Sequence, residues 1–343
     1  MRATSLLLPF CLFGTAYAQT PPQPPQPPLF REHTPLTLRL QTNLKALFRD
    51  RGQQKTEHPG VLTWVAGADS GRLEVKLRTR GIFRLKRCAF PPIRLDVPSH
   101  TVEGTPFAGQ DKLKLATHCQ GDRTFERNLL REYALYRVFN ALTDTSFRVR
   151  LARVTYSDST GADTLTRYGF LVESDIALAR RVGTGVLHTT TVNDVLTDPG
   201  FMTLVAVFQY LIGNTDWSVW GLHNIALLSD TLLLHPPLAV PYDFDFSGAV
   251  GASYAVPPPQ IPIQSVRERW YRGFCQPDTL VARVLERFRA AKDSIYSAVR
   301  AVPDLKDRDA RDMLQYFDDF YDVIANPASA QRLFARTCRR LPQ

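Results

Sequence analysis

The sequence predicts an α+β protein: a strand-rich N-terminal part with one long helix, followed by a helix-rich C-terminal part. Three observations carry this expectation. Apolar and polar residues alternate between Val61 and Val97, in "GRLEVKLRTRG" and "PPIRLDV", which is the period-two rhythm of half-buried strands. In "TFERNLLREYALYRVFNAL", Phe125, Leu129, Leu130, Tyr133, Tyr136 and Phe139 recur at threes and fours, the spacing of one helix face. Late in the chain, "TLVARVLERFRAAKDSIYSAVRAV" and "RDARDMLQYFDDFYDVIANP" have the same helical periodicity.

Taken in order, residues 1–18 ("MRATSLLLPFCLFGTAYA") combine a basic start, an apolar run and small residues at Ala16 and Ala18. This pattern predicts a secretory signal cleaved near Ala18, too short to span a membrane. Phe10 before Cys11 speaks against a lipoprotein site. Residues 19–30 begin with "QTPPQPPQPPLF", a proline-rich spacer with no means of building a core. The folded part is expected from about residue 30, with the strand-rich part over 31–175 and the helix-rich part over 176–343. "KLKLATHC" is a further strand, with Leu113 and Leu115 facing one way and Lys112 and Lys114 the other. Thr124 and Asp122 offer capping to the long helix. "FRVRLARVTYSD" and "RYGFLVESD" form two more strands about a turn. "TVNDVLTDPGFMTLVAVFQYLIGN" is a buried helix, and "HNIALLSDTLLLHPPLAVPYDFD" a small hairpin.

The formal charge is +9, which suits anionic partners or nothing more specific than an exported basic surface. No nucleic-acid-binding motif is present, and no other apolar run reaches transmembrane length. Of the five cysteines, Cys11 falls in the signal. The remaining Cys88, Cys119, Cys275 and Cys338 predict disulfides in an oxidising compartment, secreted or periplasmic, and allow three pairings. Pairing within each half of the chain joins Cys88 to Cys119 and Cys275 to Cys338. None lie close enough for a CxxC metal hook.

The chemistry-bearing stretch is "LIGNTDWSVWGLHNIALL" followed by "VPYDFDFSG". A buried helix leads to Asp216, eight residues on comes Asn224, and a strand pair ends at Asp243 and Asp245. A carboxylate that takes a hydroxyl proton, with hard oxygen ligands for a cation nearby, is what phosphoryl transfer needs. These residues resemble the CotH family of spore-coat-type atypical kinases, with its "N-x-D…N" loop and "P-W-D-Y-D"-like strand end. The resemblance implies a two-lobed kinase-like fold, ATP and Mg²⁺ or Mn²⁺ as cofactors, and transfer to a hydroxyl-bearing protein or envelope substrate. It makes Asp216 the catalytic aspartate, Asn224 and Asp243 metal ligands, and Asp245 a second candidate ligand. Upstream, Arg80 and Gly81 in "KLRTRG" resemble the family's phosphate loop, although "RGIFR" stands where the family has "RGNSS". Lys114 would contact phosphate, with Lys112 on the same strand face as an alternative. Glu132 would pair with the lysine, and Glu173 would sit where the strands cross to the second lobe.

Blander readings accompany these. His223 is as readily a hydrogen-bonded structural histidine as a ligand, and His118 a structural one. Arg267, Arg269 and Arg272 in "SVRERWYRGFC" either line an anion site or pack on aromatic rings. Two other functions are compatible with the motif: a non-catalytic envelope or surface binding protein, and a metal-dependent hydrolase with an activated water.

Overall fold

The computed structural model describes residues 27–340 apart from 53, 54, 99, 101, 162, 163 and 231. The expected signal (1–18) and all but the end of the proline-rich spacer lie outside the described residues. That end is already part of the fold, since Leu29 and Phe30 are buried in the N-terminal core.

Strand β1 (Leu36–Thr42) buries Leu36, Leu38, Leu40 and Thr42 and exposes the residues between them. It pairs antiparallel with β2 (His58–Ala66) on one side and parallel with β6 (Val149–Asp158) on the other, so that Leu38 lies opposite both Trp64 and Val154. With β3 (Asp69–Thr79), β4 (Ile93–Asp96), β5 (Lys112–Ala116) and β7 (Thr164–Val172), the order β1-β2-β3-β4-β5-β7-β6 closes a barrel. Its interior is filled by leucine, isoleucine and valine, among them Leu40, Leu62, Leu77, Ile93, Leu95 and Leu113. Short helices α1 (Leu44–Arg49) and α2 (Phe83–Arg87) follow β1 and β3.

This architecture corrects the two-lobed kinase-like fold implied by the motif. A kinase-like N-terminal lobe is an open sheet with a helix beside it, whereas here the sheet is a closed mixed barrel. The reason is β1: it supplies partners to both otherwise free edges, and closure removes them.

Helix α3 (Arg123–Leu142) starts where the Asp122 carboxylate accepts the Thr124 N–H at 2.6 Å. It packs on the barrel through Tyr133 and Phe170, but most of its buried face joins the core of the C-terminal half. Phe139 meets Phe208 and Tyr136 meets Phe244, with ring centroids 4.5 and 4.7 Å apart. Phe208 belongs to α5 (Pro199–Ile212), which is buried almost all round, as its apolar sequence predicts. Gly213 ends α5 in the left-handed region (φ 64°), where a Cβ would lie 2.0 Å from the Tyr316 hydroxyl, so only glycine fits.

Helix α4 (Asp175–Arg181) leads from the barrel to a three-stranded sheet in the order β10-β9-β8, formed by β8 (Gly185–Val186), β9 (Ile225–Ser229) and β10 (Leu238–Pro241). Helices α6 (Asp278–Ala290), α7 (Lys292–Arg300), α8 (Asp307–Ala325) and α9 (Pro327–Arg336) complete the fold.

Both expected disulfides form, Cys88–Cys119 and Cys275–Cys338. Closing loops of 31 and 63 residues stabilises the fold by roughly 4 kcal/mol each in the chain-entropy picture. Among the described residues, no helix is long and apolar enough to cross a membrane.

If β1 is the closing strand, Leu40→Ala destabilises by about 2–5 kcal/mol in urea unfolding, while Thr37→Ala on its exposed face changes stability by less than about 0.5 kcal/mol. Equal effects from the two would refute the assigned faces.

Candidate functional site

The site forms at one end of the β9–β10 hairpin. Ile225 and Pro241 are opposite each other, and the Tyr242 N–H continues the ladder to the Asn224 carbonyl at 3.0 Å. Asn224 and Asp243, which flank this end, both have left-handed backbones, with φ of 55° and 63°. Asparagine and aspartate tolerate that region better than other non-glycine residues, and such strain gathers at functional positions. The backbone thus fixes an amide and a carboxylate side by side.

Asp216 reaches the same place through a self-closing loop. Ser218 and His223 exchange backbone hydrogen bonds of 2.9 and 3.0 Å, which folds the loop back on itself. Asn224 Nδ2 therefore donates to the Asp216 carbonyl at 2.8 Å and to its Oδ2 at 3.1 Å. The eight-residue spacing from Asp216 to Asn224 does bring those side chains together. His223 Nε2 lies 2.9 Å from Asp216 Oδ1, and this hydrogen bond raises the His223 pKa, aided by the charges of Asp216 and Asp243. Arg272 braces the loop from outside by donating to the Thr215 and Trp217 carbonyls, with its guanidinium 5.2 Å from the Trp217 ring. Arg267 and Arg269 likewise stack on Tyr316. All three arginines thus take the packing role.

Asp243 and Asp245 part company despite lying one residue apart. Both bond to Arg84 on α2, a residue that sequence reasoning missed. Arg84 Nε donates to Asp245 Oδ2 at 2.8 Å, and its Nη2 donates to Asp243 Oδ1 at 2.9 Å and to Glu132 Oε2 at 2.8 Å. The Asp245 side chain is 6 % exposed and also accepts the Tyr254 hydroxyl, whereas the Asp243 side chain is 40 % exposed. Asp245 is therefore enclosed while Asp243 is half-exposed to solvent. Burial opposes the charge of Arg84, yet Asp245, Glu132 and Asp243 together hold its pKa well above the ordinary value. Burial also pushes Glu132 up, to about 8, against the pull of Arg84, and raises Asp245 as well.

The other expected partners are arranged differently. Lys114 does not pair with Glu132; it bonds Asp175 at 2.6 Å and lies over the Tyr242 ring at 5.1 Å. Burial lowers the Lys114 pKa, and Arg80 nearby lowers it further, while Asp175 and Asp243 oppose this. Arg80 and Lys114 thus share one field with Asp243. Gly81, with φ of 89°, makes the turn after Arg80. Lys112 is exposed beside Asp111. Glu173 is fully buried, bound by two Arg181 nitrogens at 3.0 and 2.8 Å and by the Arg148 N–H at 3.0 Å, so it holds α4 to the barrel. His118 is buried and structural, its pKa lowered by burial to about 4.

Glu132, Asp243 and Asp245 present oxygens within 4.8 Å of one another, but the Arg84 guanidinium occupies their midst. A divalent cation is better matched by the outward side: the half-exposed Asp243 carboxylate and the side-chain amide oxygen Oδ1 of Asn224, which has no hydrogen bond among the described residues. Hard oxygens, few in number and open to water and phosphate, are a donor set that suits Mg²⁺ or Mn²⁺. No protein-family model matches the chain, and no curated protein matches it.

Two measurements test this electrostatic layout. Replacing Arg84 by Met strands three carboxylates and costs about 3–5 kcal/mol of stability in urea unfolding at neutral pH; a loss under about 1 kcal/mol would show the ion pairs to be dispensable. Between pH 6.5 and 8 the unfolding free energy falls as pH rises. There folded Glu132 retains a proton that the unfolded chain has released, and His223 contributes with the same sign. The buried His118 acts oppositely, but only below its unfolded value of 6.5. Glu132→Gln flattens the slope in this window, and an unchanged slope would refute the assignment.

Proposed function

We propose that the protein is an exported enzyme that transfers a phosphoryl group from a nucleotide to a hydroxyl, with a divalent cation at the hairpin end. The observation that carries this reading is the pair of left-handed residues, Asn224 and Asp243, set beside the Asn224–Asp216 hydrogen bond. A kinase fold is not required, because chemistry belongs to the site rather than to the scaffold. The two disulfides support the exported location.

In this reading Asp243 and Asn224 would hold the cation, which neutralises phosphate charge when bound. Asp216 accepts the hydrogen bond of the substrate hydroxyl and takes its proton as the phosphoryl group moves. The amide of Asn224 and the ring of His223 fix its carboxylate orientation. Lys114 and Arg80, whose charges act in the same field as Asp243, would meet the phosphates. The desolvation of Lys114 strengthens that contact. The acceptor is a hydroxyl-bearing protein or envelope component.

One observation favours a second reading. Arg84 already bonds all three carboxyl groups of the acidic cluster, as expected in a protein that binds at this site without transferring phosphate.

Terminally radiolabelled ATP with Mn²⁺ or Mg²⁺ separates the readings. Label passes to the protein itself or to an envelope extract, and Asp216→Asn lowers the rate by about 10²-fold or more. Asp243→Asn removes both the transfer and the Mn²⁺-dependent part of the thermal stabilisation by ATP. Stabilisation without transfer supports the binding protein. The absence of any Asp243-dependent nucleotide stabilisation sinks the enzymatic reading.

A further inference from the structure

A second, chemically opposite site lies beyond the other face of α3. A cavity of about 580 Å³ is walled by the first turns of α3, by β6 and β7, and by the α7–α8 turn. Six cationic side chains line it: Arg123, Arg127, Arg153, Arg167, Lys306 and Arg308. Three carboxylates stand beside them, so the lining carries three more cations than anions. Asp309 is held by the buried Arg131 at 2.8 Å, Asp304 accepts the Tyr168 hydroxyl at 2.6 Å, and Glu126 accepts the Tyr168 N–H at 2.7 Å. Arg123 and Arg127 keep only long contacts of 3.7 and 3.9 Å to carboxylates. Among the described residues, Arg153, Arg167, Lys306 and Arg308 form no ion pair.

The excess of cations around one cavity, four of them without an ion pair among the described residues, is self-repelling, and an anion placed among them relieves that repulsion. Guanidinium groups dominate the set, and their paired N–H donors match the oxygens of phosphate. The volume falls within the range of about 300–1,000 Å³ typical of small-molecule sites. The cavity is also held in shape, because the Tyr168–Asp304 hydrogen bond ties β7 to the α7–α8 turn, where Asp304 takes a φ of 57°.

We propose that this cavity binds a phosphate-bearing small molecule, independently of the hairpin-end site. Its occupant bridges the barrel and the helical half, so binding stabilises the fold.

Calorimetric titration of the full chain with inorganic pyrophosphate tests the proposal. Saturable binding is expected, stronger than that of sulfate at equal ionic strength. The combined variant Lys306→Glu, Arg308→Glu, at two exposed positions, weakens it by at least about tenfold, whereas Arg308→Lys keeps most of it. Asp243→Asn leaves pyrophosphate binding unchanged, which distinguishes this cavity from the hairpin-end site. Absent binding, equal binding of sulfate, persistence in the charge-reversed variant, or loss in Asp243→Asn would each overturn it. Should the combined variant fail to fold, Arg308→Gln is read in its place, with an expected loss of about threefold or more.

Discussion

The structure depends on one guanidinium. Arg84 comes from a short helix at the end of the barrel, yet its partners lie on α3 and on the chain leaving β10. Three charge-assisted hydrogen bonds thus join segments that are 48 to 161 residues apart. Buried ion pairs are poor sources of net stability, because desolvation offsets the attraction. What they do well is specify: no other side chain of this size satisfies three carboxylates in fixed directions. The helix carrying Arg84 is in turn held from both sides. Arg51 donates to the carbonyls of Leu85 and Cys88, and Cys88, at the helix end, is tied by its disulfide to Cys119 before α3. The covalent link and the ion cluster therefore constrain the same joint between barrel and helices.

That joint divides the acids into two roles. Glu132 and Asp245 are enclosed, raised in pKa by burial, and committed to Arg84 and Tyr254. Asp243 gives one oxygen to Arg84 and remains half-exposed to solvent. Its backbone N–H donates to the Tyr136 hydroxyl at 2.8 Å, which anchors an otherwise unfavourable left-handed residue to α3. The same guanidinium that suppresses metal binding among the inner carboxylates also aims the outer one. For this reason the arginine is compatible with both the catalytic and the non-catalytic reading, and only measurements on Asp243 and Asp216 divide them.

Local physics was readable from the sequence, and long-range pairing was not. The alternation of β3, β4 and β5, the face of α3, the buried α5 and the β9–β10 hairpin follow from residue periodicity. So does the meeting of Asp216 with Asn224, since a short loop leaves few ways to close. Strand β1 alternates as clearly as the others, but nothing near it announces that residues 36–42 pair in parallel with 152–158, and that pairing turns an open sheet into a barrel. The pairing of Lys114 with Glu132 belongs to a sheet-and-helix lobe. In a closed barrel the lysine faces Asp175, and the helix carboxylate looks toward α2 instead. Arg84 gave only a faint signal, an arginine ending "RGIFR" with no acid beside it in the sequence.

Helix α3 connects these observations into one distribution of charge. Arg131 and Glu132 are neighbours in the sequence but point to different partners: the arginine to Asp309 and Asp312 of α8, the glutamate to Arg84. By engaging Asp309, Arg131 withdraws a counter-charge from the arginine-lined cavity and leaves its cations under-neutralised. Glu132, protonated at neutral pH, bonds Arg84 without neutralising it, and the carboxylates of Asp243 and Asp245 outnumber that one guanidinium. A helix whose adjacent residues send polar groups to different partners supports an acidic cluster on one side and the arginine-lined cavity on the other. The half-exposed Asp243 suits a cation and the basic cavity an anion, and the same buried helix holds both in place.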